Sequence, residues 1–167
     1  MIADYERARD FAVRYLSHGP RSRKQLRDRL VANGFSDTAV DAVVQLLEEK
    51  RYIDDVGFAK NYISHKTRIN NYGKRRIVID LLQKGVPKED IQAAYQQADE
   101  DNDTESELDA AARALAKRIA RKDPASIKKD PKEMQRLMAF LIRRGFSYEV
   151  AKEAIKNWMM SNKEELS

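Results

Sequence analysis

Two successive aspartates, Asp54 and Asp55, form the best carboxylate pair in the chain. Such a pair can hold a magnesium ion or work as acid and base. It can also do something plainer: Asp54 can cap the helix leading into Phe58, with both carboxylates at that helix's positive end. The plainer reading is favoured, because nothing else of a catalytic site accompanies the pair. There are two histidines, His18 and His65, and no cysteine, which rules out disulfides, thiolate metal sites and cysteine nucleophiles. The histidines fall near the ends of two equivalent helices, where a polar or cationic group suits the helix dipole. Without cysteine or a spaced carboxylate pair they make a poor metal site. No glycine-rich phosphate loop, Gly-x-Ser-x-Gly or His-Glu-x-x-His is present. We therefore expect no enzyme: no catalytic residue, cofactor, metal or small-molecule substrate.

What the chain has in quantity is base. It carries 32 Lys and Arg against 27 Asp and Glu, a formal charge of +5. The surplus is uneven: residues 99–109 hold seven acids and no base, between two basic stretches. Bases concentrate in three short segments. The first holds Arg21, Arg23, Lys24, Arg27 and Arg29; the second Lys74, Arg75, Arg76 and Lys84; the third Lys132, Arg136, Arg143 and Arg144, preceded by Lys128 and Lys129. Arg23, Lys24 and Arg27 share one sector of a helix. Such a stripe can track phosphates or an acidic protein surface. It can equally be a solvated face, and for any single residue that reading is favoured. Tyr72, beside Arg75, offers a ring for stacking or for the core.

The elements that would carry these bases repeat. Phe11-Ala12-Val13-Arg14-Tyr15-Leu16-Ser17-His18 and Phe58-Ala59-Lys60-Asn61-Tyr62-Ile63-Ser64-His65 share Phe, Ala, Tyr, Ser and His at the same spacing. Leu30-Val31-Ala32-Asn33-Gly34-Phe35-Ser36 is echoed at Leu81 to Pro87 and again at Leu141 to Ser147. A period near 50 residues marks tandem supersecondary units. Within a unit the apolar spacing is helical, as at Phe11, Tyr15 and Leu16 and at Val40, Val43, Val44 and Leu47.

Helix ends are legible too. Ser22 to Gln25 reads as a capping box, and Thr104 to Glu107 and Asp130 to Glu133 share its form, the last with Pro131 at the first helical position. Each second helix should stop at a glycine, Gly34, Gly85 or Gly145, with Phe35, Val86 or Phe146 folding back on Leu30, Leu81 or Leu141. The third helices then start at Ser36, Pro87 and Ser147. These signals predict helices over 5–18, 22–33, 36–50, 55–69, 73–84, 87–98, 104–122, 131–144 and 147–160. The expected organisation is all-α: three tandem three-helix repeats (5–53, 54–98 and 104–160) packed in series into an elongated, curved helical body, with an acidic linker at 99–103 and a tail at 161–167. No apolar run approaches a membrane span, and the N-terminus lacks the apolar stretch of a signal peptide.

Four ordered pieces resemble the RecX family. They are Tyr52-Ile53-Asp54-Asp55-Val56-Gly57-Phe58-Ala59 with Tyr62; Tyr72-Gly73 with Arg76-Ile77, Leu81 and Lys84-Gly85-Val86; Ser22 with Leu26; and Phe140-Leu141-Ile142-Arg143-Arg144-Gly145-Phe146-Ser147. The resemblance covers roughly residues 8–160. It implies three tandem three-helix repeats, in agreement with the count above. It also implies a cytoplasmic regulator that binds RecA and its filament on single-stranded DNA, and modulates, mainly inhibits, RecA's ATPase, strand exchange and co-protease function. Some members of the family also bind DNA directly. Family members differ in length at the N-terminus, so the resemblance leaves the native start open. A monomer is expected.

The partner-binding candidates are Arg21, Arg23, Lys24, Arg27, Lys74, Arg75, Arg76, Lys132, Arg136, Arg143 and Arg144, for RecA or for DNA phosphates. The competing reading is a basic helical-repeat module that binds nucleic acid without RecA. Both need a basic surface, so composition does not separate them.

Overall fold

In the computed structural model, residues 2–101 and 106–164 are described. Among them are ten helices and no strand: α1 (Ile2–Ser17), α2 (Arg23–Ala32), α3 (Asp37–Glu49), α4 (Asp55–Arg68), α5 (Lys74–Gln83), α6 (Lys88–Glu100), α7 (Glu107–Ile119), α8 (Pro124–Lys129), α9 (Pro131–Arg143) and α10 (Tyr148–Glu164). Nine coincide with expected helices. The tenth, α8, was unforeseen. It starts on Asp123, whose carboxylate accepts from the Ala125 and Ser126 amides, with Pro124 at the first turn. This is the same Asp-Pro signal that opens α9. α8 buries Ile127 among the core side chains of α7, α9 and α10.

The start of α7 differs from expectation. Its cap is Ser106, whose hydroxyl accepts from the Leu108 amide at 3.1 Å. The capping box expected from Thr104, and part of the 99–103 linker, lie outside the described residues. At α9, Asp130 accepts from the Lys132 amide at 2.9 Å. Glu133 does not complete a box there; it turns to Lys122 at 2.6 Å and to Arg136 at 2.5 Å. The box at Ser22 is complete: Ser22 Oγ accepts from the Gln25 amide at 3.1 Å, and Gln25 Oε1 accepts from the Ser22 amide at 3.0 Å.

The three glycine clasps are formed. Phe35, Val86 and Phe146 donate their amides to the carbonyls of Leu30, Leu81 and Leu141 at 3.4, 3.1 and 3.2 Å, with the tighter second bond one residue inside each time. These are Schellman closures, and the glycines between take the left-handed conformation they require. Leu30, Leu81 and Leu141 are fully buried. The clasp thus links a backbone stop to a core anchor, which is why it recurs in every repeat.

By contacts the chain divides into two units, Met1–Asn61 with Asp80–Gln97, and Tyr62–Ile79 with Ala98–Ser167. The first is built on Leu26, Leu30, Val40, Val43, Val44 and Leu47, with Ala8 and Ala12 letting α1 approach closely. The second is built on Leu115, Ile127, Leu137, Leu141, Phe146 and Ile155, with Ala110, Ala111 and Ala114 in the same role on α7.

Candidate functional site

Most of the bases sit where second helices begin or end, with Arg27 and Arg136 mid-helix, and in each unit these ends meet. In the first unit, Ser22 Oγ donates to the Lys84 carbonyl at 2.5 Å, and the Arg23 amide donates to Asp55 Oδ1 at 2.8 Å. In the second, the Gly73 amide donates to the Arg144 carbonyl at 2.8 Å and the Arg75 amide to the Gly145 carbonyl at 3.1 Å. There the Lys74 amide donates to Glu107 Oε1 at 2.7 Å. In the second unit the carbonyls at the end of α9 thus face the first amides of α5, which satisfies both ends and aligns their dipoles. In the first, the Ser22 hydroxyl takes the carbonyl and the Asp55 carboxylate takes the amide.

The aspartate pair is part of this scaffold. Asp54 Oδ1 accepts from the Gly57 amide at 3.1 Å, capping α4. Asp55, half-buried, caps α2 instead. Burial raises its carboxyl above the ordinary 3.8, and the bond from the Arg23 amide opposes that shift. Glu107, the first residue of α7, does for α5 what Asp55, the first residue of α4, does for α2. His18 donates Nδ1 to the Arg14 carbonyl at 2.7 Å, a cap at the end of α1. Among the described residues no three His, Asp or Glu side chains come together as a metal cluster.

The predicted bases part into two groups. Some pair with groups of the fold, Arg23, Lys24 and Arg136 while still exposed. Arg23 pairs with Glu48 at 2.7 Å, Lys24 with Asp28, Arg27 with Asp41, and Arg136 with Glu133. The hydrogen bond and charge of Asp41 raise the Arg27 pKa further. Arg76 stacks on Tyr72 at 3.9 Å from guanidinium carbon to ring centre, and Arg144 approaches the same ring at 4.9 Å. Arg144 also donates Nε to the Asn71 carbonyl at 3.1 Å and Nη2 to the Asn70 carbonyl. Burial lowers its pKa. Tyr72 therefore stacks with Arg76 and Arg144, not with Arg75. Arg21 lies over Tyr15 at 5.1 Å. Arg75, Lys132 and Arg143 are exposed; Lys74, exposed as well, has an interaction within the fold. Hydrogen bonds from its own backbone and from Ser147 hold the Glu149 carboxyl low, and the charge of Arg75 adds to this.

Three family models match in series: RecX, first three-helix domain, over residues 8–47; second, over 54–94; and third, over 105–155. A regulatory protein RecX of Finegoldia magna is 31% identical over 91% of this chain and 72% of its own length. The chain belongs to the RecX family. The regulatory protein RecX of Prosthecochloris aestuarii is 30% identical over 92% of this chain and 94% of its own length. The crystal structure of RecX from Lactobacillus salivarius superimposes with a TM-score of 0.75 at 19% identity, covering 94% of this chain and 97% of that one. RecX relatives are named regulatory proteins, and the three-helix repeats are those of that fold. Among the described residues no helix is long and apolar enough to cross a membrane.

Sequence reasoning missed the carboxylates that cap second helices from the following repeat, Asp55 and Glu107. It also missed Asn71, which is fully buried, takes a left-handed conformation at φ 52°, and accepts from Arg113 Nε at 2.8 Å. Left-handed Asn in a turn is a known exception among non-glycine residues, and the Asn70-Asn71 pair was the available signal.

Proposed function

We propose that this chain is a cytoplasmic regulator that binds RecA on single-stranded DNA and restrains its ATP turnover, acting as a monomer. Membership of a family of regulatory proteins supports the reading. The observation that carries it is the exposed base at the second helices: Arg75, Lys132 and Arg143. A RecA filament offers both acidic protein surface and DNA phosphate, and exposed cations raise the rate of encounter with either. Arg21, Arg23, Lys24, Arg27, Lys74, Arg76, Arg136 and Arg144 complete the candidate surface. They hold fold contacts first, so a partner must share or exchange those contacts.

Three repeats in series give several contact points on one molecule, and such a molecule can bridge neighbouring RecA subunits. Bridging hinders the rearrangements that accompany ATP turnover. The test is a titration of RecA's DNA-dependent ATPase. Inhibition at amounts well below RecA itself supports the reading. Inhibition only at amounts that cover the DNA contradicts it and favours a nucleic-acid module that acts without RecA.

A further inference from the structure

We propose that the first repeat holds a pocket for a nucleoside phosphate, on the side of α1 that faces the ends of α2. The cavity measures about 470 Å³ and is lined by Phe11, Arg14, Tyr15, His18, Arg21 and Arg29. That volume lies within the range of small-ligand sites, roughly 300–1,000 Å³. Three guanidinium groups line it, and no carboxylate does. Elsewhere on α2 the pattern is the opposite: Arg23, Lys24 and Arg27 each face an acid. Gathering like charges without an acid is unfavourable unless an anion joins them.

The donors are held in place. Arg21 lies 5.1 Å, and Arg29 6.0 Å, from the centre of the Tyr15 ring. Arg21 Nε is buried and finds no hydrogen-bond acceptor among the described residues, an arrangement that costs free energy until an acceptor oxygen arrives. Its Nη1 makes only a long 3.5 Å contact to the Pro20 carbonyl. His18 is fixed through Nδ1 to the Arg14 carbonyl, which also accepts from Ser17 Oγ at 2.7 Å. Guanidinium forks match phosphate oxygens. The floor is aromatic: Tyr15 and Phe11, the latter backed by Phe35 at 5.7 Å between ring centres. An aromatic surface beside a phosphate site is what a nucleobase stacks on.

The internal repeat separates scaffold from addition. The second repeat keeps the frame, with Phe58, Tyr62 and His65 at the positions of Phe11, Tyr15 and His18. At the positions of Arg14, Arg21 and Arg29 it has Asn61, Tyr72 and Asp80. The aromatic and histidine frame is thus common to both helices, whereas the three arginines are particular to the first repeat. A merely structural frame does not require them.

The test uses the full chain without RecA, so its outcome is independent of the regulatory reading. Fluorescence anisotropy compares a short labelled oligothymidylate with an abasic oligomer of equal length. The oligothymidylate should bind about tenfold more tightly, the size of one stacked base. Tyr15→Leu should erase that preference, and Arg29→Gln should weaken binding of both oligomers. Displacement by thymidine monophosphate identifies a free nucleotide as sufficient; displacement only by oligomers identifies a unit within a strand, and either result supports the pocket. Because Tyr15 packs against the core, Arg29→Gln, on an exposed side chain, keeps the test decisive if Tyr15→Leu fails to fold. Equal affinity for base-bearing and abasic oligomers, or parent-like binding by a folded Arg29→Gln variant, overturns the proposal.

Discussion

The guanidinium of Arg144 lies 4.9 Å from the centre of the Tyr72 ring and donates Nε to the Asn71 carbonyl at 3.1 Å. The residue that closes the second helix of the third repeat thereby holds the turn that opens the second helix of the second. Its backbone joins in, since the Arg144 carbonyl accepts from the Gly73 amide. Arg144 is a structural clamp before it is a surface cation.

Arg144→Ala should destabilise the protein by about 1–3 kcal/mol, because the carbonyls of Asn70 and Asn71 lose their donor in a partly buried turn. Arg144→Lys should recover only part of this, since one ammonium cannot reproduce the planar fork. Urea denaturation of the three proteins checks it. Equal midpoints for Ala and parent would show that the clamp carries no stability.

The clasp glycines should differ by position. A Cβ on Gly145, at φ 94°, would lie 2.5 Å from the Arg76 backbone nitrogen and Cβ, whereas one on Gly34, at φ 81°, would meet nothing within 4 Å. Gly34→Ala should cost only the left-handed strain, roughly 1–2 kcal/mol. Gly145→Ala adds a collision with backbone and should cost clearly more. Leu141→Ala, at the anchor of the same clasp, should cost about 2–5 kcal/mol. Thermal melts rank the three, and a Gly145→Ala protein as stable as Gly34→Ala would refute the packing argument.

Much of this was readable in the chain because the signals are local. Nine helices follow from apolar spacing, and their ends from Ser22, Ser36 and the three glycines, each acting within a few residues. What was not readable depends on distant residues. Asp55 and Glu107 look like ordinary first-turn acids of their own helices, yet their carboxylates cap helices 32 and 33 residues away in sequence. The Asp123-Pro124 start of α8 is local, but only six residues follow it, too few for a periodic pattern. At the candidate surface the sequence marks the bases but cannot tell Arg75, exposed, from Arg76, stacked on Tyr72.

Asp55 should make stability fall as pH rises. Burial holds its folded pKa above the ordinary 3.8, so the folded state binds more protons between the unfolded and the folded pKa. Its contribution is therefore fully present below 3.8 and is lost as pH climbs through the folded value. Asp55→Asn keeps an oxygen for the Arg23 amide and removes the titration. The melting temperature of the parent relative to Asp55→Asn should decline from acid toward neutral pH. A difference independent of pH would contradict the assignment.

Exposed base on the second helices is proposed to engage the RecA–DNA filament. The most direct measurement is RecA's DNA-dependent ATPase with a substoichiometric amount of this protein, parent against a combined Arg75→Glu, Lys132→Glu and Arg143→Glu variant, across a salt series. These side chains are exposed, so the variant should melt close to the parent. We predict that the parent inhibits, that its inhibition weakens as salt rises, and that the variant inhibits far less at low salt. A folded variant that inhibits as well as the parent at every salt concentration would place the contact surface elsewhere and contradict the account.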